Sequence, residues 1–475
     1  MKHSTLHLFI IALFCTAQLA AQEAHDYIVE RAPVLALTHA RVIDGRGHPA
    51  LENQTVVIRD GKIAALGADA DVKIPDGATV RDLTGKTVLP GLVMLHEHLI
   101  FTSVASPTTP RHFGEMEYSF PRLYLACGLT TARTGGCFEP YTDLEVKSRV
   151  DAGSMPGPKL HLTAPYLEGF PSIIPQLHPV DSPEDAVRLV NFWADKGFTS
   201  FKCYMHLPRE TMQAVITAAH KRGLKVTGHI GAVTYREAAE LGIDNLEHGF
   251  FAATDFVRGK KADELPAFPL VGGSQDELDV NSPEVASLIA LLVEKHVALT
   301  STLPVFEASV PGRPILTARE LDVFSANSRE TYLRTWAQVN SRTDGRGVAI
   351  WKKMLALEKK FFDAGGLLVA GTDPTGYGAT IAGFGSQREV ELLVEAGLTP
   401  VEAIQVASYN GARQLGVEHE TGSIETGKAA DLIIVNGDPA KNISDLRKTE
   451  IVFKDGVGFD SQKLIDSVKG CVGIQ

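Results

Sequence analysis

Two histidines one residue apart lie at the end of a short apolar stretch. The stretch Leu89–His98 has the sequence Leu-Pro-Gly-Leu-Val-Met-Leu-His-Glu-His, which is typical of a buried strand. Positions i and i+2 of a strand point to the same side, so His96 and His98 are expected to face one point. Two neutral imidazoles that converge in this way can bind one metal ion. The pair alone is equally compatible with a structural role.

Four more ionisable side chains come at or near the ends of other predicted strands. The strands are Phe198–Tyr204, Leu224–His229, Asp244–His248 and Gly366–Asp373, and the side chains are those of Lys202, His229, His248 and Asp373. Barrels built from alternating strands and helices have their active sites at the carboxyl ends of the strands. A single histidine is more often a core residue, but six such side chains in strand-end positions predict one shared site.

The lysine in this series needs its own explanation. Phe201 and Cys203 place Lys202 in a buried strand, where an unpaired ammonium is costly. A protonated amine cannot bind a metal ion. If burial and nearby cations lower its pKa, the free amine can react with CO₂ to give a carbamate, a carboxylate able to bridge two divalent ions. The alternative is a lysine paired with Glu247 or Asp373.

The region that carries these residues, 91–416, alternates predicted strands with predicted helices. The helices are Ala186–Lys196, Glu210–Lys221, Tyr235–Leu241 and Pro283–Lys295, and a further strand is Val297–Thr302. This alternation predicts an α/β fold with parallel strands, for which a (β/α)8 TIM-like barrel is the commonest solution at this length. Near the end of the region, Thr399, Pro400 and Glu402 predict a helix start with a capping box.

Two connections, Phe251–Ser282 and Pro304–Asp344, are longer than such folds usually need. Long connections on a barrel are typically lids or binding loops. They are therefore expected to lie over the site.

The two ends of the chain have a different texture. Short strands separated by turns precede residue 90, with a tight hairpin expected at Asp60-Gly61. Similar strands return only at Ala430–Asp438 and Ile451–Gly456. We therefore predict one small sheet domain built from residues 22–90 and 417–475, which flanks the barrel region.

Residues 1–21 have the pattern of a secretory signal peptide. Lys2 and His3 precede an apolar run over residues 8–14, and alanines follow at 17, 20 and 21. The run is too short for a transmembrane anchor. The expected location is periplasmic or secreted, with no membrane attachment after the signal is cleaved. Export would permit a disulfide between Cys127 and Cys137, although free buried thiols are equally compatible with the sequence.

Length and charge limit the kind of partner. A chain of 475 residues is expected to form about two to three domains. Its formal net charge of −11 argues against a nucleic-acid partner, which usually requires a basic face. A small-molecule substrate is expected, and a homo-oligomer is compatible with the sequence.

Together these residues resemble the amidohydrolase superfamily over the whole mature chain. The resemblance rests on the Leu-Pro-Gly-Leu-Val opening, His96 and His98, His229, His248 and the segment Gly371–Pro374. The short separation of His229 and His248 is similar to the imidazolonepropionase-related branch. Within it, Phe201–Tyr204 resembles secreted prolidase-like metal-dependent dipeptidases and ochratoxinase, which use a carbamylated lysine. The family also implies that both ends form a split β-sandwich.

The resemblance implies a binuclear centre. His96, His98 and Asp373 would bind one divalent ion, His229 and His248 the other, and carbamylated Lys202 would bridge them. Zn²⁺ is the default ion for these ligands, and Mn or Co could also serve.

The same resemblance implies hydrolysis of the C–N bond of a dipeptide or N-acyl amino acid by a metal-bridging hydroxide. Asp373 would accept the proton and pass it to the leaving amine. Tyr204 lies two residues beyond Lys202 and is a candidate donor to the oxyanion, and His206 is a candidate substrate contact.

Other functions stay open from the sequence. Tyr166–Pro171 replaces a Gly-Gly-His segment with which many relatives contact substrate, and Met94 lies where relatives usually have an acidic residue. The same metal site could act on a lactone, a carbamate or a phosphate ester. A mononuclear imidazolonepropionase- or deaminase-like enzyme would make Lys202 structural. A non-catalytic exported binding protein would be expected to have lost ligands, and none of the six is lost.

Overall fold

The computed structural model describes residues 24–103, 113–172, 174, 176–177, 179–375 and 378–474. The predicted signal peptide, 1–21, lies outside the described residues. None of the helices in the described part of the chain has the length and apolar character needed to cross a membrane.

The strands are numbered in chain order. They are β1 (Ile28–Glu30), β2 (Val34–Val42), β3 (Leu51–Arg59), β4 (Lys62–Ala68), β5 (Thr79–Asp82), β6 (Thr87–Pro90), β7 (Leu92–Glu97), β8 (Ile100–Thr102), β9 (Phe113–Glu115), β10 (Leu129–Thr134), β11 (Lys159–His161), β12 (Ser200–Cys203), β13 (Lys225–Gly228), β14 (Asn245–Glu247), β15 (Ala298–Ser301), β16 (Leu368–Ala370), β17 (Leu432–Val435), β18 (Thr449–Lys454) and β19 (Val457–Asp460).

The helices are numbered in the same way. They are α1 (Ser119–Ala126), α2 (Pro140–Asp151), α3 (Pro183–Asp195), α4 (Arg209–Lys221), α5 (Tyr235–Leu241), α6 (Phe268–Glu277), α7 (Pro283–Glu294), α8 (Leu303–Glu307), α9 (Ala318–Leu321), α10 (Ala326–Asn340), α11 (Arg346–Asp363), α12 (Phe384–Glu395), α13 (Pro400–Gln405), α14 (Gly411–Leu415) and α15 (Ser461–Asp466). A π-helical turn, Val406–Asn410, joins α13 to α14, and a 3-10 turn covers Ile443–Lys448.

Parallel strands form the middle of the chain and confirm the predicted α/β class. β12 to β16 pair in chain order as one five-stranded parallel sheet, and β7, β10 and β11 form a three-stranded parallel sheet. Backbone hydrogen bonds join the two sheets at both edges. Ala164 N–H donates to the carbonyl of Ser200 (3.0 Å), and Asp373 N–H donates to the carbonyl of His96 (2.8 Å).

The helices cover the parallel strands with apolar stripes. In α4 the buried residues Met212, Val215, Ile216 and Ala219 follow the i, i+3, i+4, i+7 spacing of one helix face. The strands they cover are buried on both faces, as expected for parallel sheets. The long connections contain helices of their own: α6 lies in the first, and α9 and α10 lie in the second.

Strands from both ends of the chain share one nine-stranded sheet. Its order is β1-β19-β18-β17-β6-β2-β3-β4, with β5 beside β2. A separate apolar cluster, which includes Leu35, Val56, Ile434 and Phe453, packs within it. Cys127 and Cys137 are buried free thiols.

Gly91 joins this sheet to the strand that carries the two histidines. β6 ends at Pro90 in the sheet of the chain ends, and β7 begins at Leu92 in the parallel sheet. A Cβ on Gly91 would lie 2.1 Å from Oγ1 of Thr130, and its N–H donates to the carbonyl of Asp431 (2.9 Å). Only glycine fits this close approach, which explains the Pro-Gly pair before the histidines.

The predicted capping box at the start of α13 is confirmed, and its loss should destabilise the protein. Thr399 accepts from Glu402 N–H, and Glu402 accepts from Thr399 N–H (2.7 Å). We expect Thr399→Ala to lower the free energy of unfolding by about 1 kcal/mol, measured by urea denaturation. Thr399→Ser retains the accepting oxygen and is the control. Equal stability of all three proteins would contradict a role for the cap.

Candidate metal centre and active site

Six side chains predicted from the sequence meet at the carboxyl ends of the parallel strands. They are those of His96 from β7, His98 just after β7, Lys202 from β12, His229 after β13, His248 after β14 and Asp373 after β16. Four of the six side chains are at most 3% exposed: those of His96, His98, Lys202 and His248. The candidate site therefore lies inside the protein, and its side chains have little contact with solvent.

The carboxylate of Asp373 lies among three imidazoles. Its Oδ1 is 3.3 Å from Nε2 of His98 and 3.9 Å from Nε2 of His96, and its Oδ2 is 4.0 Å from Nδ1 of His248. The ligand atoms of His96, His98 and Asp373 lie within 4.8 Å of one another. Two imidazoles and a carboxylate at this separation can bind one metal ion.

The remaining ligands lie against this group. Nζ of Lys202 is 3.2 Å from Nε2 of His96 and donates to the carbonyl of Gly135 (2.7 Å). The ring centroid of His248 is 4.6 Å from that of His96 and 4.3 Å from that of His229. Sequence reasoning therefore selected side chains that share one small space.

A buried carboxylate behind the site orients His96. Oε2 of Glu247 is 2.7 Å from Nδ1 of His96, and its other oxygen accepts hydrogen bonds from Arg133 and Thr227. Because an ionised carboxylate can only accept, Nδ1 of His96 carries the proton and Nε2 presents a lone pair to the site.

Similar contacts orient two other histidines. Nδ1 of His98 is 3.1 Å from the carbonyl oxygen of Gly136, so this nitrogen donates, and Nε2 faces Asp373. Nδ1 of His248 is 2.9 Å from Oγ1 of Thr302.

Burial determines the protonation of these bases. It lowers the pKa of His96 to about 4 and of His229 to about 3, with the charge of Lys202 adding to the effect. Both imidazoles are therefore neutral near pH 7, the form that binds metal ions. Burial also lowers the pKa of Lys202 to about 8, although Glu247 and Asp373 act in the opposite direction.

The two acids stay ionised in spite of burial. Burial alone would raise the pKa of Glu247, but Arg133 and His96 hold it well below its usual range. Burial would likewise raise the pKa of Asp373, and the neighbouring imidazoles of His96, His98 and His248 outweigh it. The site therefore provides neutral and anionic ligands together.

Two of the candidate ligands have left-handed backbone conformations. φ is 71° at His248 and 48° at Asp373, a region that residues other than glycine seldom adopt. Glu247 already points into the site, so regular strand alternation would turn His248 away from it. The left-handed conformation at His248 brings its side chain to the same side as that of Glu247. Backbone strain of this kind is typical of functional sites.

The candidates for substrate contact lie beside the ligands. The ring of Tyr204 is 5.2 Å from that of His229 and 5.0 Å from that of Tyr166. His206 lies against the buried Glu168, whose Oε2 is 3.6 Å from Nδ1 of His206. The roles of Tyr204 in oxyanion binding and of His206 in substrate contact stay predictions.

Sequence reasoning missed the residues that support the ligands. From the sequence, Glu247 is expected only as a possible partner of Lys202, and no pattern points to Arg133. Gly135 is the one supporting residue that the sequence could have indicated. A Gly-Gly pair directly after a strand allows another side chain to approach the backbone closely. A Cβ on Gly135 would lie 2.5 Å from Cδ2 of His96.

The amidohydrolase family model matches residues 87–458, and the chain belongs to this metal-dependent family of hydrolases that act on carbon–nitrogen bonds. The matched region contains all six candidate ligands. The resemblance inferred from the sequence is thereby confirmed at the level of the family.

Known proteins of this type are similar over most of their length. Imidazolonepropionase from Geobacillus sp. (strain WCH70) is 25% identical over 417 residues, which cover 81% of this chain and 84% of that protein. A Xaa-Pro dipeptidase of known structure has a TM-score of 0.67 at 19% identity, covering 90% of this chain and 100% of its own. The ochratoxinase of A. niger has a TM-score of 0.64 at 18% identity, covering 91% and 96%. The two structures show a shared fold.

The orienting role of Glu247 can be tested by removing its charge. Glu247→Gln leaves Arg133 buried without its counter-ion and weakens the acceptor of His96. We expect metal affinity to fall about 10- to 100-fold, measured by competition with a chromogenic chelator. Stability should also fall, by about 3–5 kcal/mol.

Glu210→Gln, an exposed substitution on α4, provides the matched control. If Glu247→Gln bound metal as tightly as this control and unfolded at the same temperature, Glu247 would not orient the ligand.

Proposed function

We propose that the protein is a binuclear metal-dependent amidohydrolase that cleaves the C–N bond of a dipeptide or N-acyl amino acid. The convergence of six ligand-type side chains from five strand ends carries this proposal. The bound ions would be Zn²⁺, and Lys202 would carry a CO₂-derived carbamate.

The donor set fits two ions only if the lysine is modified. In the described part of the chain, one group of three metal-binding side chains lies close together, that of His96, His98 and Asp373. His229 and His248 supply two neutral ligands and require a third, anionic one. A carboxylated Lys202 would supply it to both ions.

The position of the amine supports the same conclusion. Nδ1 of His96 donates to Glu247, so Nζ of Lys202 at 3.2 Å is directed at the lone pair that an ion would use. An unmodified ammonium therefore competes with the metal. Conversion to a carbamate removes that competition and replaces a positive charge by a negative one.

When bound, the ions would activate a water molecule and polarise the scissile carbonyl. Oδ1 of Asp373 is already engaged by His98 and by the hydroxyl of Thr375 (3.1 Å). Oδ2 is the freer oxygen, and we assign to it the proton taken from the nucleophile and passed to the leaving amine. Tyr204 would donate to the developing oxyanion, and His206 would contact the substrate.

We also propose how the fold is divided. The eight parallel strands would close into a (β/α)8 TIM-like barrel over residues 91–416, supported by the hydrogen bonds at both edges of the two parallel sheets. Residues 22–90 and 417–475 would form the β-sandwich domain, supported by their shared sheet and separate apolar cluster. Export to the periplasm or the medium remains our proposal from the pattern of residues 1–21.

A second function is favoured by a specific observation. The group of His96, His98 and Asp373 would suffice for a mononuclear centre, and the similar imidazolonepropionase makes an enzyme of that kind the main alternative. Lys202 would then be structural, held by the carbonyl of Gly135. Metal counting distinguishes the two proposals.

Removal of the lysine amine tests the binuclear centre. We expect Lys202→Ala to abolish amide hydrolysis and to reduce bound metal from two ions to one per chain, because the second site loses its anionic ligand. Metal content is measured by atomic emission, and rates are measured with dipeptides in bicarbonate. Short carboxylates should restore part of the activity.

Lys221→Ala, at the end of α4, provides the control for loss of a lysine. One tightly bound ion in both proteins, with full activity in Lys202→Ala, would favour the mononuclear enzyme.

The proton-transfer role of Asp373 requires a separate test. We expect Asp373→Asn to retain much of the metal, since the amide oxygen can still bind, yet to lose turnover about 100-fold or more because the amide cannot take up the proton. Asp71→Asn, an exposed substitution in the turn after β4, is the control. Wild-type rates in Asp373→Asn would assign the proton transfer to another group.

A further inference from the structure

A cavity of about 510 Å³ adjoins the candidate active site. Tyr204 and His229 form part of its wall, so it is continuous with the metal ligands. Met205 and Ile230, which follow these two residues, are buried and add apolar surface. The volume lies within the usual range of small-molecule pockets.

Four aromatic side chains from later in the chain line the cavity, and three of them, Phe251, Phe306 and Trp351, pack near one another. The rings of Phe251 and Phe306 stack at 3.8 Å with an interplanar angle of 2°, and Trp351 lies 6.2 Å from Phe251. Phe306 also lies edge-on to the ligand His248, at 5.7 Å. The aromatic wall therefore begins directly beside the ligands.

Two polar side chains of the cavity, those of Thr254 and Gln275, donate hydrogen bonds to the backbone. Oγ1 of Thr254 donates to the carbonyl of Gly231 (3.1 Å), and Nε2 of Gln275 donates to the carbonyl of Phe251 (2.8 Å). Among the described residues that line the cavity there is no aspartate, glutamate, lysine or arginine. A charged group placed there would lose its water without gaining a counter-ion.

We propose that this cavity binds an uncharged apolar side chain of the substrate, preferably an aromatic one, next to the bond that is cleaved. The proposal rests on the amide hydrolase function proposed above and specifies its substrate class. Stacked aromatic walls favour a flat ring through edge-on and offset contacts. Charged side chains are excluded by desolvation.

The first test compares dipeptides that differ in one side chain. Phe, Leu, Lys, Glu and Gly are placed in turn on each side of the cleaved bond, with Gly as the other residue. With the varied residue on one of the two sides of the cleaved bond, kcat/KM should be at least about 100-fold higher for Phe than for Gly. On that side it should be at least about 10-fold higher for Phe than for Lys or Glu. Equal rates for Phe and Lys on both sides would overturn the proposal while leaving the hydrolase function intact.

A substitution in the wall gives a sharper test. Ile350 on α11 lines the cavity, whereas Val348 on the same helix does not, and both are partly buried. Ile350→Asp should lower the Phe-to-Lys ratio of kcat/KM at least about 10-fold, because the new carboxylate can pair with an ammonium. Val348→Asp should leave the ratio unchanged. The same fall in both variants, or in neither, would overturn the proposal.

Binding without turnover separates the cavity from the chemistry. 3-Phenylpropan-1-ol has the ring but no amide bond, and 3-aminopropan-1-ol is its charged counterpart. Calorimetry should detect the phenyl compound with wild-type protein and with Val348→Asp, and about 10-fold weaker binding with Ile350→Asp. This result together with no hydrolysis of any dipeptide would support the ligand class and refute the hydrolase. Equal binding of the two alcohols would refute the ligand class.

Discussion

The buried carboxylate of Glu247 is the interaction on which the rest of the site depends. It joins Arg133 of β10, Thr227 of β13 and His96 of β7, and its own strand is β14. An ionised group without exposure to solvent is stable only when fully paired, so these four strands must keep their relative positions. The pairing in turn determines which nitrogen of His96 is available to an ion. The relative positions of four strands and the protonation and orientation of His96 are thus linked through one carboxylate.

Local sequence predicts the elements better than their contacts. The helical spacing in α4 and the capping box of Thr399 and Glu402 involve residues a few positions apart, and both were predicted correctly. The pairing of Arg133 with Glu247 spans 114 positions and leaves no local pattern. Contacts of that kind depend on which strands lie next to each other. The periodicity of a single strand does not predict this.

The candidate ligands illustrate the same limit within one strand. Alternation predicts that His96 and His98 face one side, and both do lie against Asp373, although the pairing of β7 with β10 is irregular over Met94–Glu97. Regular alternation would have turned either Glu247 or His248 away from the site. Both side chains reach it because φ at His248 is 71°. A residue in the left-handed conformation reverses the alternation of side chains, and the residue types in this segment do not predict that conformation. The sequence therefore predicts which side chains lie together at the candidate site, but not the backbone conformation that brings them together.

The cavity and the ligands come from different parts of the fold. The ligands belong to strand ends that are fixed by the core, whereas much of the cavity wall comes from α11 and the connection that contains α6. None of the ten residues of α6, all of which the structure describes, is buried, and its Phe268 at the cavity is 61% exposed. Substitutions in α6 would therefore cost little folding energy. Under the proposed function, mutation there would change the preferred substrate side chain and leave the candidate metal ligands at the strand ends in place.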